Sequence, residues 1–213
     1  MPYFALEFIF RVCHNVPISV EGVDFMEKKR IVTTKQIVLV GLLAAMTCVG
    51  STLRIKVPEA VGTSAFHLGN ILCALSGVLL GPWLGGLAAG LGSAVYDMLD
   101  PMYISECWLT FLMKGAYGVV AGLVIRSGKG SWNYGKATVA TVAGAVGYAV
   151  LYLAKTFFYS GMLMHGLTVE GAWVSVVSKL PATTFNAVVA VLAAPLLAVT
   201  LRKALNKSRL SID

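Results

Sequence analysis

The chain has 213 residues, 57% of them hydrophobic and only 13% charged, with a formal net charge of +7. A mean hydropathy of +0.78 excludes an ordinary soluble domain. The positive charge is no sign of nucleic-acid binding here, because the basic residues sit at the ends of apolar runs, where they set membrane orientation.

At about 20 residues per crossing, the length accommodates about six short-looped helices and no sizeable soluble domain. Of the four cysteines, Cys48 and Cys73 fall inside apolar runs, Cys107 near the end of one and Cys13 in the N-terminal tail. No CxxC pair occurs, so neither a zinc site nor a disulfide framework is expected. No metal or cofactor is expected.

Residues 1–25 differ in character from the rest of the chain. Their apolar run is too short to span, and no small-residue cleavage motif follows a basic start, so they do not read as a signal peptide. Met26-Glu27-Lys28-Lys29-Arg30 reads as a natural beginning, a basic lead into a first helix. The codons for Val20 to Met26 can contain a GGAGG-like ribosome-binding sequence shortly before the ATG. The expectation is therefore a start at Met26, with 1–25 as translated leader or disordered tail and 26–209 as one membrane domain. An intact mass that includes Met1 to Phe25 would refute the leader.

The first span is expected at Lys35 to Leu53, with small residues Gly41, Ala44, Ala45 and Cys48. Arg54 to Ser64 contains Pro58 and Gly62 and cannot stay helical. The second span runs from Ala65 to Leu80, and Gly81-Pro82 turns the chain into the third, Trp83 to Leu99. Gly77, Gly81, Gly85, Ala89 and Ser93 form an i,i+4 row that ends at Asp97, with Gly86, Gly90 and Ala94 beside it. In water each glycine costs a helix about 1 kcal/mol relative to alanine. In lipid such rows let neighbouring backbones approach closely.

Asp100-Pro101 ends the third helix, and an acidic connection with Glu106 leads to the fourth span, Cys107 to Ile125. A basic loop, Arg126 to Lys136, precedes the fifth, Ala137 to Tyr159. A short loop with His165 and Glu170 precedes the sixth, Ala172 to Leu201, which ends in Arg202, Lys203, Lys207 and Arg209. The tail before span one, the loop after span four and the C-terminus are basic, whereas the connections after spans three and five are acidic or nearly neutral. Positive-inside bias then places both termini in the cytoplasm. Arg54 and Lys56 after span one are the mild exception. The fold expected is an all-α integral membrane bundle of six helices.

Three lysines, Lys114, Lys155 and Lys179, lie inside spans. Intramembrane charges are costly and mark functional sites by default. Counting from the span ends puts all three roughly 7–12 Å beneath the outer surface, on three helices. Such a cluster suits a carboxylate or phosphate. Equally, the lysines can pair with Asp97, Asp100, Glu106 or Glu170, or snorkel to the interface. Asn186 lies two turns deeper than Lys179 on the same face, suited to a ligand or to another helix. Tyr148, Tyr152 and Tyr159, with Trp108 and Trp173, suit a flat ring or an interfacial belt. His67 and Asn70 suit ligand contact or helix capping.

Gly130 to Ala137 fits GxxxxGK but has Ala137 where Ser or Thr should ligate magnesium, with no strand before it, and reads as a chance near-miss. No HExxH, GxSxG or paired carboxylate set occurs within a span, so nothing argues for an enzyme. If transport is ATP-driven, the ATPase lies on other chains.

The order Phe66-His-Leu-Gly-Asn70, Gly77-Val-Leu-Leu-Gly81-Pro82, Gly85-Gly86 through Gly92-Ser93 to Asp97, then Thr110-Phe-Leu-Met-Lys114-Gly115 resembles the S components of energy-coupling factor (ECF) vitamin transporters. Within these it is most similar to the riboflavin-type group, over about Lys35 to Lys203. The resemblance implies a six-helix bundle in the cell membrane of a prokaryote. It would bind one vitamin or precursor near the outer face, in a pocket built from the loop after helix one and from helices four to six. It also implies a transmembrane coupling subunit and two ABC-type ATPases as partners. The family's A-x-x-x-A contact on helix one has its nearest matches here in Gly41-x-x-x-Ala45 and Ala44-x-x-x-Cys48. An anionic cargo such as pantothenate or a folate suits three lysines better than riboflavin, and a pyridoxine- or pyrimidine-type precursor stays open. The alternative expectation is a stand-alone carrier or channel acting as a homo-oligomer.

Overall fold

The computed structural model describes residues 32–58, 63–127 and 132–207. The expected leader, residues 1–25, lies outside them, as do Gly62, Gly130 and Arg209. Six α-helices occur among the described residues: α1 (Thr34–Thr52), α2 (Gly69–Leu80), α3 (Pro82–Leu99), α4 (Cys107–Arg126), α5 (Tyr134–Lys155) and α6 (Val169–Lys207). A two-stranded hairpin, β1 (Arg54–Pro58) and β2 (Thr63–His67), joins α1 to α2, and a 3₁₀ turn at Ile104–Glu106 leads into α4.

The stretches 34–52, 104–126, 134–164 and 169–207 are long and apolar enough to cross a membrane. Helix α2 is shorter, at 12 residues or about 18 Å. Helix α3 has 18 residues, but its glycines, Ser93 and Asp97 lower its apolarity. Thr33 opens α1 with a capping box, its hydroxyl accepting from the Gln36 amide while the Gln36 side chain accepts from the Thr33 amide. Asn133 caps α5 by accepting from the Lys136 amide. The described end of the GxxxxGK near-miss is thus an ordinary helix start.

The glycine rows build the centre. A methyl group placed on Gly77 would lie 2.3 Å from the Gly118 carbonyl oxygen, and one on Gly85 would lie 2.4 Å from that of Ser76. On Gly118 it would meet the Gly85 oxygen at 2.7 Å, and on Gly92 the Ala44 oxygen at 2.2 Å. Helices α2, α3 and α4 therefore touch backbone to backbone, and α1 closes against α3 in the same way. Close approach of this kind is what drives helix association in lipid. Gly81 has a φ of +81°, a left-handed conformation that frees the chain to turn from α2 into α3. The Arg126 guanidinium fills the space beside it and donates to the Leu80 carbonyl, satisfying one orphan acceptor of the α2 terminus.

Three boundaries differ from the sequence reading. Span two does not begin at Ala65, because Thr63–His67 pairs antiparallel with Arg54–Pro58, with Arg54 opposite His67 and Pro58 opposite Thr63. Beyond Lys155, residues Thr156–Met164 continue as a nine-residue π-helix, a wider turn that is rare and common at functional sites. Helix α6 runs 39 residues, through Pro181 and Pro195. Its length, about 58 Å, exceeds a hydrocarbon core of about 30 Å. Each proline removes one backbone donor.

Candidate functional site

A cavity of about 470 Å³ opens among the hairpin, α2, α4, α5, the π-helix and α6. That is within the usual range for small-molecule sites, about 300–1,000 Å³. His67, Asn70, Lys114, Tyr152, Lys155, Lys179 and Asn186 all line it. Residues spread over about 120 positions of sequence are brought together because α2, α4, α5 and α6 turn one face each toward a shared centre.

Their engagements differ. The Lys114 ammonium, buried, donates to the Asn70 side-chain oxygen and lies 4.2 Å from the centre of the Tyr148 ring. An internal partner is among the alternatives the sequence offers for the lysines, but that of Lys114 is the Asn70 amide and none of the four carboxylates named. The ammonium of Lys155 is ion-paired with Glu106, at the start of α4. Lys179 Nζ lies 5.8 Å from the Tyr152 ring centre. Tyr117, Tyr148 and Tyr152 stack in a ladder, with centroid separations of 5.7 and 5.8 Å. The other aromatics named from the sequence pair separately: Trp108 with Tyr159 at 6.3 Å and Trp173 with Phe157 at 5.2 Å.

Asn186 holds the hairpin. Its side-chain oxygen accepts from the His67 amide at 3.0 Å, and its nitrogen donates to the Ala65 carbonyl at 2.8 Å. The amide group thus completes the free edge of β2 as a third strand would. At the other edge of the structure Lys56 donates to Asp100 at 2.8 Å, and the Thr63 hydroxyl lies 3.0 Å from that of Tyr103. The hydrogen bond from Lys56 holds the Asp100 carboxyl below its ordinary value, and the same bond raises Lys56. The pair therefore contributes above the ordinary carboxylate range, is lost as pH falls through the lowered Asp100 value, and is lost at the alkaline end as pH rises through the raised Lys56 value.

Asn186→Ala should leave the helices intact and open the hairpin. With each hydrogen bond contributing about 1 kcal/mol, amide exchange over 63–67 should rise about tenfold or more. Unchanged exchange there would separate Asn186 from the hairpin.

Arg54, Ser64 and Asp97 are among the lining residues that the sequence reading does not place in the binding site. Arg54 was treated only as an exception to the charge rule, yet its guanidinium carbon lies 3.9 Å from the Tyr96 ring centre and 5.3 Å from that of Tyr103. Ser64 and Asp97 also line the cavity. The signal for Arg54 is its standing as the exception to the positive-inside bias expected of the chain. Around the cavity, Arg54, Lys114, Lys155 and Lys179 face Asp97 and Glu106, an excess of two positive charges.

The expected partner residues lie elsewhere. Gly41 and Ala45 are exposed on the outer face of α1, while Ala44 and Cys48 are half-buried. Nothing lies within 4 Å of a methyl group placed on Gly41, and Ile37, Val38, Leu42 and Val49 around it are exposed. Among the described residues no group of three His, Cys, Asp or Glu is arranged to hold a metal ion.

Residues 31–203 match the family model described as ECF-type riboflavin transporter, S component. The chain is 34% identical over 111 residues to an uncharacterized protein in the gap 3′ region of Pyrococcus woesei, covering 52% of this chain and 72% of that one. It is also 32% identical over 92 residues to a UPF0397 protein of Streptococcus gordonii, covering 43% of this chain and 47% of that one. A helical membrane bundle with a polar cavity and a match over nearly its whole described length place this chain in the family of ECF-type transporter S components, the substrate-binding membrane subunits of that transporter class.

Proposed function

We propose that the protein captures an anionic vitamin or vitamin precursor at the outer face of the cell membrane and delivers it for ATP-driven uptake. The observation that carries this reading is the cationic excess around a 470 Å³ cavity closed on one side by a hairpin that α6 holds through Asn186. Opposite charge in a low-dielectric pocket selects anions. The chain crosses the membrane six times with both ends in the cytoplasm, so that Arg126, Lys136, Arg202 and Lys203 lie inside.

A transmembrane coupling subunit seats on the exposed α1 face around Gly41 and Ala45, where small residues permit close helix approach. Two ABC ATPases complete the transporter. Co-expression with the coupling subunit and ATPases, followed by affinity purification of this chain, should recover all of them. Mass spectrometry of the small molecules released on denaturation should find a compound with an acidic group. Recovery of the chain alone, with nothing released, would overturn the proposal in favour of a stand-alone carrier.

A further inference from the structure

Resting on the capture reading, we infer that Arg54 is the residue that reads the cargo's charge, and that the cargo is a small carboxylic acid with a hydroxyl or amide group close to its carboxylate. Arg54 is fixed before any ligand arrives. Its Nε donates to the Ser51 carbonyl at 2.9 Å, and its plane is braced by the rings of Tyr96 and Tyr103. Stacking and one fixed nitrogen leave the rest of the guanidinium fork with its direction set, the arrangement that binds carboxylates bidentately.

Two of the other cations of the cavity are engaged within the protein. Lys155 is neutralised by Glu106, and Lys114 donates to Asn70. Asp97 lines the same cavity but forms no ion pair with Arg54 among the described residues.

A second observation comes from the facing strand. Strand register sets Arg54 opposite His67. His67 Nδ1 and Ser64 Oγ are both buried without a hydrogen-bond partner among the described residues, and both residues line the cavity. Leaving a buried polar atom unpaired is costly, so a cavity that keeps two on its lining, one of them on the residue opposite a preset guanidinium, is incomplete until something pairs them. A hydroxyl or amide next to a carboxylate does that, since it both donates and accepts. The ligand then joins β1, through Arg54, to β2, through His67, and binding tightens the hairpin.

Small fragments test this subsite. The purified full chain is unfolded thermally in the presence of glycolate, acetate (no hydroxyl) or glycolamide (no charge). Glycolate should protect at concentrations about tenfold lower than either analogue. In Arg54→Gln the advantage of glycolate over glycolamide should vanish, and Arg54→Lys, which keeps the charge without the fork, should retain a reduced part of it. In His67→Ala the advantage over acetate should shrink while that over glycolamide remains. Equal protection by glycolate and glycolamide, or an unchanged preference in both Arg54 variants, would overturn the assignment. If no fragment protects, yet the protein releases a small molecule on denaturation, the Arg54 subsite fails and capture stands. If nothing is released and no coupling proteins are recovered, capture itself fails.

Discussion

Gly77→Leu should abolish the folded bundle, while Gly41→Leu should leave it intact. The first β-carbon would lie 2.3 Å from the Gly118 carbonyl oxygen and 3.0 Å from that residue's Cα. Those are backbone atoms, which cannot swing aside as a side chain can. To admit even a methyl group, α2 and α4 must separate, and α3, wedged between them through Gly85 and Gly86, must move as well. Overpacking in a core usually costs about 1–3 kcal/mol. With backbone on both sides the cost should exceed about 3 kcal/mol, a large share of the stability of an ordinary domain, about 5–15 kcal/mol.

Gly41 has nothing within 4 Å, so its variant should unfold at the wild-type temperature and instead reduce recovery of the coupling subunit. Thermal unfolding and size-exclusion profiles in detergent check the first claim, and co-purification the second. A stable, monodisperse Gly77→Leu protein would mean that the helices do not meet as described.

The second large effect concerns the cavity lysines. Lys179→Ala should weaken binding of the released cargo about 10- to 100-fold, the worth of one hydrogen bond to a charged group, about 1.5–3 kcal/mol. Lys155→Ala should weaken it too, but by less, because Glu106 already neutralises Lys155. Glu106→Gln should strengthen binding of an anion, since it removes a negative charge and releases Lys155. Calorimetric titration of the three variants ranks these effects. Unchanged affinity in both lysine variants would remove them from the binding site.

Much of this arrangement was legible in the residues. The small-residue rows from Gly77 to Asp97 indicated tight helix packing because a 3.6-residue period needs no tertiary information to be read. The depth of the three lysines followed from helical rise alone, and the cavity collects them together with Asn70, His67, Tyr152 and Asn186. What escaped had physical reasons. Arg54 to Val57 alternates polar and apolar residues over only four positions, Thr63 to His67 does not alternate, and the hairpin is held by Asn186, more than 100 positions away. The π-helix after Lys155 has no composition signature. The choice between an internal partner and a ligand for each lysine depends on side-chain reach, which spacing does not encode: Lys114 meets Asn70 and Lys155 meets Glu106.

The backbone contacts among α2, α3 and α4 also bear on how such a protein can change. An interface made of carbonyls and α-carbons has no side-chain volume to exchange, so a substitution there cannot be compensated by trimming its neighbour. The cavity wall on α5, the π-helix and α6 consists of side chains with room beside them, and changes there can be absorbed one at a time. Mutational tolerance should therefore divide the molecule lengthwise: an invariant half that keeps the bundle a bundle, and a variable half in which a new cargo can be acquired without rebuilding the frame.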